Sequence, residues 1–210
     1  VVYWMSRDQR AHDNWALLFA QKLALENKKS LVVVFNLVPD FLEATIRQYG
    51  FMLRGLQEVE KELSSFNIPF FLTSGKPEVE LPKLLNSVSA SFLVSDFDPL
   101  KIKRIWKRDV AKKISIPFYE IDAHNIVPCL NVSDKLEFAA YTIRPKIHKA
   151  LIEFLDEFPS LKKMSKSEIS SDKIDWNKII KSLKINFDIT EVDWIKPGEI
   201  AAEKTLKNFL

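Results

Sequence analysis

Residues 3–18, YWMSRDQRAHDNWALL, decide the fold of this chain. An apolar strand ends at Met5 and is followed by a charged turn that contains two arginines. Asp13 or Asn14 is then placed to cap a helix that opens at Trp15, because short polar side chains accept hydrogen bonds from the first free helix N–H groups. A strand, an arginine-containing turn and a helix N-terminus in this order predict an open α/β sheet with a ligand-binding crevice beyond its first strand.

The amino-acid composition limits the classes of protein to which this chain can belong. The 210 residues are 47% hydrophobic and 11% aromatic, enough for a large core, and the net charge of +3 does not by itself indicate a nucleic-acid partner. The single cysteine, Cys129, excludes an internal disulfide and favours a reducing compartment. The longest clean apolar run, residues 31–35, is far shorter than the about 20 residues that cross a bilayer. We expect an intracellular protein without a membrane segment, cytoplasmic in a prokaryote or nuclear in a eukaryote.

Strand and helix patterns alternate along the first part of the chain. Short apolar runs bounded by turn signals, typical of buried parallel strands, lie at residues 1–5, 31–37, 69–73, 91–95 and 117–121. Segments with apolar residues every three to four positions, typical of helices, lie at residues 14–26, 41–64, 78–87 and 100–113. This alternation predicts an α/β fold with a doubly wound, five-stranded parallel sheet (Rossmann-like) and right-handed crossovers.

The alternation stops after residue 121. Residues 122–135 show no clear period, residues 138–158 return to a helical pattern interrupted by Pro145, and residues 162–175 are rich in Ser and Lys, which is typical of an exposed linker.

We therefore expect three parts. Residues 1–125 form the α/β domain, residues 126–196 form an interdomain linker with helical segments, and residues 197–210 form the truncated start of a helical domain. The last expectation rests on an apolar helix pattern that reaches Leu210 without a capping residue.

Several kinds of chemistry have no support in the sequence. The chain has only four glycines and contains neither a GxGxxG nor a Walker motif, so the first strand–helix turn is not a standard dinucleotide fingerprint. His12, His124, His148 and Cys129 lack metal-ligand spacing. We therefore predict no metal site and no catalytic nucleophile in this chain.

Basic residues surround Trp106 in the pattern of residues 100–113. They are Lys101, Lys103, Arg104, Lys107, Arg108, Lys112 and Lys113. One interpretation is a nucleic-acid surface with a stacking aromatic. The other is a helix with a basic solvent face whose apolar residues, such as Ile105 and Val110, pack on the sheet.

Polar and aromatic residues follow three of the predicted strands. In a doubly wound sheet the carboxyl ends of strands near the switch point line one crevice. The residues at these ends are Ser6 and Arg7, then Asn36 and Val38, then Asp96, Phe97 and Asp98. A cation, an amide, carboxylates and an aromatic wall suit a flat ligand with polar edges. The alternative is that Asn36 and Asp98 only terminate strands and cap helices.

Several long segments resemble class II cyclobutane pyrimidine dimer DNA photolyases. The opening WMSRDQR and DNWAL is one of them, and others occur in order along the chain. They are VVFNL at residues 33–37, SGKP at 74–77, SDFDPL at 95–100, DAHNIVPC at 122–129 and FAAYTIRPK at 138–146. Because these segments spread over most of the chain, the resemblance covers nearly its whole length.

The resemblance implies an N-terminal α/β domain, a connecting segment and the first residues of a C-terminal helical domain. In such photolyases the helical domain holds FAD and the flipped pyrimidine dimer, and light-excited reduced flavin donates the electron that splits the cyclobutane ring. The N-terminal domain can hold an antenna chromophore, often a deazaflavin. The resemblance thus implies that the parent protein is a carbon–carbon lyase that acts on UV-damaged DNA and is a monomer when complete. It also implies that this chain contributes no catalytic residue and is inactive alone.

By similarity of position, the resemblance also implies a set of chromophore contacts. They are Arg7, Phe35, Asn36, Phe51, Asp96, Phe97 and Asp98. Stacking on the phenylalanines would hold the ring plane. The alternatives are a cryptochrome-type light-signalling domain, a structural α/β domain without a chromophore, and a free-standing nucleotide-binding protein, for which a Gly-rich phosphate loop is missing.

Overall fold

The computed structural model describes all residues, 1–210, and confirms the doubly wound parallel sheet. The strands lie side by side in the order β3-β2-β1-β4-β5. Their bounds are β1 (Val2–Met5), β2 (Val32–Leu37), β3 (Phe70–Ser74), β4 (Leu93–Asp96) and β5 (Phe118–Ile121). The helices are α1 (Trp15–Glu26), α2 (Ile46–Ser65), α3 (Pro77–Ser87), α4 (Lys101–Ala111), α5 (Cys129–Val132), α6 (Ala140–Phe154), α7 (Trp176–Ser182) and α8 (Glu199–Phe209). None of these helices is both long and apolar enough to span a membrane.

The central strand β1 organises the core. It pairs in parallel with β2 on one side and with β4 on the other. Because successive side chains of a strand point to opposite faces, Tyr3 and Met5 pack into one hydrophobic cluster with α1 and α2, while Val2 and Trp4 pack into a second cluster with α3 and α4. Burial on both faces explains why the strands are almost continuous runs of apolar residues.

Asn14 fixes the junction between β1 and α1. Its side-chain oxygen accepts hydrogen bonds from the N–H groups of Ala16 and Leu17 at 3.0 and 3.1 Å. Its amide nitrogen donates to the Tyr3 hydroxyl and to the carbonyls of Asp8 and Arg10. Of the two capping residues expected from the sequence, Asn14 is therefore the one that caps the helix.

The helix predicted for residues 41–64 is in fact two elements, so that expectation is wrong at its start. A 3₁₀ turn at Phe41–Glu43 does not continue into α2, since Leu42 adopts left-handed backbone angles, with φ 48° and ψ 43°, and Glu43 also has a positive φ of 57°. Thr45 then caps α2 and forms a capping box with Gln48. Apolar spacing could not reveal this break, since Phe41 packs against the same core as α2.

Pro145 does not interrupt the second helical pattern, contrary to the expectation from sequence. α6 runs unbroken from Ala140 to Phe154. The missing N–H of Pro145 would have bonded to the carbonyl of Tyr141, in the first turn of the helix, where the side chain is 71% exposed. A proline is tolerated here because the unpaired carbonyl lies near the solvent-exposed end of the helix.

Residues 162–175 are not a simple exposed linker, and this expectation also needs correction. Their polar side chains face solvent, but Met164 is buried against the main core. The Met164 N–H donates to the Phe66 carbonyl at 2.9 Å, and the Asn67 side chain donates to the Met164 carbonyl at 2.7 Å. Farther along, the Trp176 indole N–H donates to Glu60 at 2.8 Å. The segment after α6 is thus fastened along α2.

Candidate functional site

The crevice at the carboxyl ends of β1 and β4 is filled by the side chain of Asp96. One of its carboxylate oxygens accepts hydrogen bonds from three successive backbone N–H groups, those of Ser6 at 3.0 Å, Arg7 at 2.5 Å and Asp8 at 2.8 Å. Consecutive N–H groups that converge in this way form an anion-binding nest, and this position in a doubly wound sheet is where a phosphate is bound by dinucleotide-binding proteins. Here an internal carboxylate occupies that position.

The burial of Asp96 sets its acid–base behaviour. The side chain is 1% exposed, and its second carboxylate oxygen has no hydrogen-bond partner. Burial raises the pKa of Asp96 above its usual 3.8, against the opposing effect of the three N–H donors. Burial also raises the pKa of the neighbouring Tyr3 well above 10. Both groups are positioned by the fold and are closed to solvent.

An open cavity of about 110 Å³ lies beside the carboxyl end of β2, between α2 and α4. Its walls are mainly aromatic and aliphatic, and its polar groups include two side-chain amides, from Asn36 and Gln48, and one amine. The lining includes Phe35, Asn36, Phe41, Tyr49, Met52, Lys103 and Trp106. The rings of Phe41 and Trp106 have centroids 5.5 Å apart and are tilted by 55°. This arrangement suits a planar, largely apolar group.

Lys103 provides the positive charge of this cavity. Its ammonium nitrogen lies 5.2 Å from the centroid of the Phe41 ring and 4.9 Å from that of Trp106, within range of a cation–π interaction. It also donates to the Ser6 hydroxyl at 3.1 Å. Burial lowers the pKa of Lys103, while the carboxylates of Asp98 and Asp96 act in the opposite direction. An anionic edge of a ligand would relieve the cost of burying this ammonium group.

Asn36 is oriented by its own hydrogen bonds. Its amide nitrogen donates to the Gly75 carbonyl at 2.9 Å, and its side-chain oxygen accepts from the Thr73 hydroxyl at 2.8 Å. These bonds hold the loop after β3 against β2. Gly75 itself has a φ of 133°, which a residue with a side chain rarely adopts. Asn36 therefore forms a fixed wall of the cavity.

The residues expected from sequence to contact a chromophore are distributed among different environments. Phe35 and Asn36 line the cavity beside β2. Asp96 is bound to the N–H groups of the turn after β1. Asp98 accepts from the Leu100 N–H at 2.9 Å in the turn before α4, and no side chain caps that helix. Phe97 lines a separate cleft. Arg7 and Phe51 line neither of these two cavities.

Sequence reasoning missed most of the cavity wall. Phe41, Tyr49, Met52, Lys103 and Trp106 come from the 3₁₀ turn, α2 and α4. One sequence signal for these residues was available. Tyr49 and Met52 on α2, and Lys103 and Trp106 on α4, are three residues apart, and residues with this spacing share a helix face. The basic character of α4 favoured placing Lys103 in solvent, whereas this lysine is only partly exposed.

A larger groove of about 770 Å³ lies between α1, the end of β5 and residues 153–162. Trp15, Phe19, Ile126 and Phe154 form apolar parts of its lining. Its charged side chains are mostly carboxylates, from Glu26, Glu120, Asp122, Glu153 and Asp156, against the two lysines Lys22 and Lys162. None of the sequence-predicted site residues lies in this groove, and its acidic rim disfavours an anionic ligand.

The anchoring role of Asp96 has a measurable consequence. Asp96→Ala leaves three N–H groups without their acceptor and should lower the free energy of unfolding by about 3 kcal/mol, whereas Asp96→Asn keeps an acceptor oxygen and should cost about 1 kcal/mol. Because burial raises the pKa of Asp96 in the folded protein, the folded protein keeps a proton on this side chain at pH values, from about 4 upward, at which the unfolded chain has lost it. The stability that Asp96 contributes should therefore fall as the pH rises through its raised pKa.

Urea unfolding of both variants between pH 4 and pH 8 measures these effects. Asp96→Asn should remove this part of the pH dependence, and Asp172→Asn, at an exposed carboxylate, serves as the matched control. Equal stability of Asp96→Ala and the control would contradict the anchoring role.

Comparisons with known proteins agree with this architecture. The family model described as DNA photolyase matches residues 1–163. The deoxyribodipyrimidine photo-lyase of Potorous tridactylus is 46% identical over all of this chain and 40% of its own length. The enzyme of the same name from Arabidopsis thaliana is 43% identical over 98% of this chain and 43% of its own length.

A solved structure extends the comparison to the fold. The cryptochrome of Synechocystis sp. PCC6803 superposes with a TM-score of 0.74 at 17% identity, over all of this chain and 45% of the cryptochrome. The chain thus spans less than half the length of each of these proteins. From the matched family model and the two sequence relatives, the chain belongs to the DNA photolyase family, and its fold is that of the N-terminal domain of the photolyase/cryptochrome superfamily.

Proposed function

We propose that this chain is the light-harvesting part of a class II photolyase and binds a deazaflavin-type antenna chromophore in the cavity beside β2. The observation that carries this proposal is the combination of aromatic walls with one partly buried ammonium group, Lys103, at the carboxyl edge of the sheet. Ring stacking would hold the chromophore plane, and Lys103 would pair with an anionic edge.

The size of the cavity defines what binding requires. At about 110 Å³ it accommodates roughly a single ring, whereas pockets for whole small molecules usually measure about 300 Å³ or more. Trp106 and Lys103, both on α4, are only partly buried and form one wall. A tricyclic chromophore would enter when these two side chains swing away from Phe41, with the buried ring of Phe35 remaining in place.

For the parent protein we propose repair of cyclobutane pyrimidine dimers in UV-damaged DNA by electron transfer from FAD. The names of the relatives from Potorous tridactylus and Arabidopsis thaliana support this class of reaction. The described residues do not fit FAD itself, because the N–H groups suited to a pyrophosphate already bind Asp96. FAD would therefore be held by a C-terminal helical domain of the same protein, which is also the expected partner of this chain.

Binding of the chromophore can be tested by absorption titration with a deazaflavin. The wild-type chain should bind saturably, with a red-shifted absorption band. Trp106→Ala should weaken binding about tenfold, which corresponds to about 1.4 kcal/mol and to the loss of one stacking contact. Trp194→Ala, at a tryptophan that is 83% exposed, is the matched control and should bind like the wild type.

Two results would count against the proposal. Absence of binding by a chain whose circular dichroism shows it to be folded would favour the structural alternative. Equal weakening by both tryptophan variants would place the chromophore elsewhere.

The chain alone should not repair DNA, because in the class II photolyases that it resembles the helical domain holds both FAD and the pyrimidine dimer. A dimer-containing oligonucleotide, illuminated with blue light in the presence of reduced FAD and this 210-residue polypeptide, should keep its dimers. A longer photolyase with the helical domain serves as the positive control. Light-dependent repair by the polypeptide alone would refute this division of roles.

A further inference from the structure

We propose that a second cleft, between α4 and the edge strand β5, binds a nucleoside monophosphate. The cleft measures about 290 Å³ and shares no lining residue with the cavity beside β2. Phe97 and Phe118 contribute its aromatic surface, Arg104, Lys107 and Arg108 contribute its positive charge, and Glu120 contributes its one carboxylate. Its volume is close to that of the smaller ligand pockets and suits one nucleotide.

The charges of the cleft are not equally available to a ligand. Lys107 is buried, pairs with Glu120 at 2.7 Å and donates to the Asp96 carbonyl at 3.2 Å, so its charge is already compensated within the protein. Arg104 is exposed and forms no ion pair. Arg108 contacts only the adjacent Asp109, at 3.3 Å. Two guanidinium groups thus remain available.

The spacing of these arginines suits a phosphate group. Arg104 and Arg108 are four residues apart on α4, so they lie on the same face, one turn apart. A guanidinium group can donate two parallel hydrogen bonds to a phosphate, which a lysine ammonium cannot do with the same geometry. Two arginines at this separation can hold one phosphate from both sides.

The aromatic surface distinguishes a nucleotide from a bare phosphate ion. Phe118 is backed by the buried ring of Trp4, with centroids 6.4 Å apart, and the Lys107 ammonium lies 5.8 Å from the centroid of Phe97. Rings held in this way offer fixed faces on which a base can stack, and such stacking tolerates any base. The cleft therefore combines a phosphate position with a base position.

This proposal also distinguishes between the basic residues of α4 and those that follow it. Lys103 lines the cavity beside β2. Lys107 lies at the cleft but is buried and paired with Glu120, while Arg104 and Arg108 border the cleft from exposed positions. Lys112 and Lys113 are exposed and lie in the turn that follows the helix, outside both sites. The helix thus has an inner basic pair with partners and an outer pair suited to a ligand.

Fluorescence anisotropy of methylanthraniloyl-AMP, with unlabelled AMP, inorganic phosphate and a single-stranded oligothymidine as competitors, tests the proposal. AMP should compete at least tenfold better than inorganic phosphate. The double variant Arg104→Gln/Arg108→Gln should weaken AMP binding at least tenfold. Lys112→Gln/Lys113→Gln changes the net charge by the same amount just after the same helix and should change binding less than about twofold, which would be under about 0.4 kcal/mol.

Each other outcome overturns the proposal in a defined way. Equal weakening by both double variants would mean general electrostatic attraction. Equal competition by AMP and phosphate would mean that the rings contribute nothing, and much tighter binding of the oligothymidine would mean a strand-binding surface. No saturable binding by the wild-type chain would exclude the site. Deazaflavin titration of the same variants checks that the cavity beside β2 remains intact.

Discussion

The three hydrogen bonds from Ser6, Arg7 and Asp8 to the Asp96 carboxylate are the interaction on which the rest of this structure depends. They join the turn after the first strand to the end of the fourth, across the point where the order of the sheet reverses. The same turn leads into the helix capped by Asn14. One buried carboxylate therefore fixes the junction between the two halves of the sheet.

This arrangement also decides where a ligand can bind. Doubly wound sheets usually present free N–H groups to a ligand phosphate at the switch point. In this protein the position is filled from within, and the open space lies beside the second strand, where side chains of α2 and α4 form an aromatic cavity. Lys103 connects the two regions, because its ammonium group reaches both the Ser6 hydroxyl and the rings of the cavity. The Asp96 carboxylate that anchors the turn and the cavity proposed to bind the ligand are thus separate sites that lie next to each other.

The sequence was sufficient to predict the sheet, since buried parallel strands require apolar runs and Asn14 is a strong helix cap. It could not predict the break at Leu42 and Glu43, because two residues with positive φ leave the apolar spacing unchanged. Asp96 was predicted to contact a chromophore, but its hydrogen bonds to the N–H groups of Ser6, Arg7 and Asp8 could not be predicted, because backbone groups carry no signature in the sequence. The position of Lys103 in the cavity was not predicted, because the partial burial of a lysine depends on neighbours that are distant in sequence, such as Phe41.

Nuclear magnetic resonance mapping of deazaflavin binding tests the central claim most directly, that the switch point is closed and the cavity beside β2 is the ligand site. The largest shifts of backbone and indole N–H signals should occur at Phe35, Tyr49 and Trp106, while the signals of Ser6 and Asp8 keep the positions that their bonds to the carboxylate impose. Largest shifts at Ser6 and Asp8, with little change at Trp106, would contradict the account, because the ligand would then have displaced the internal carboxylate.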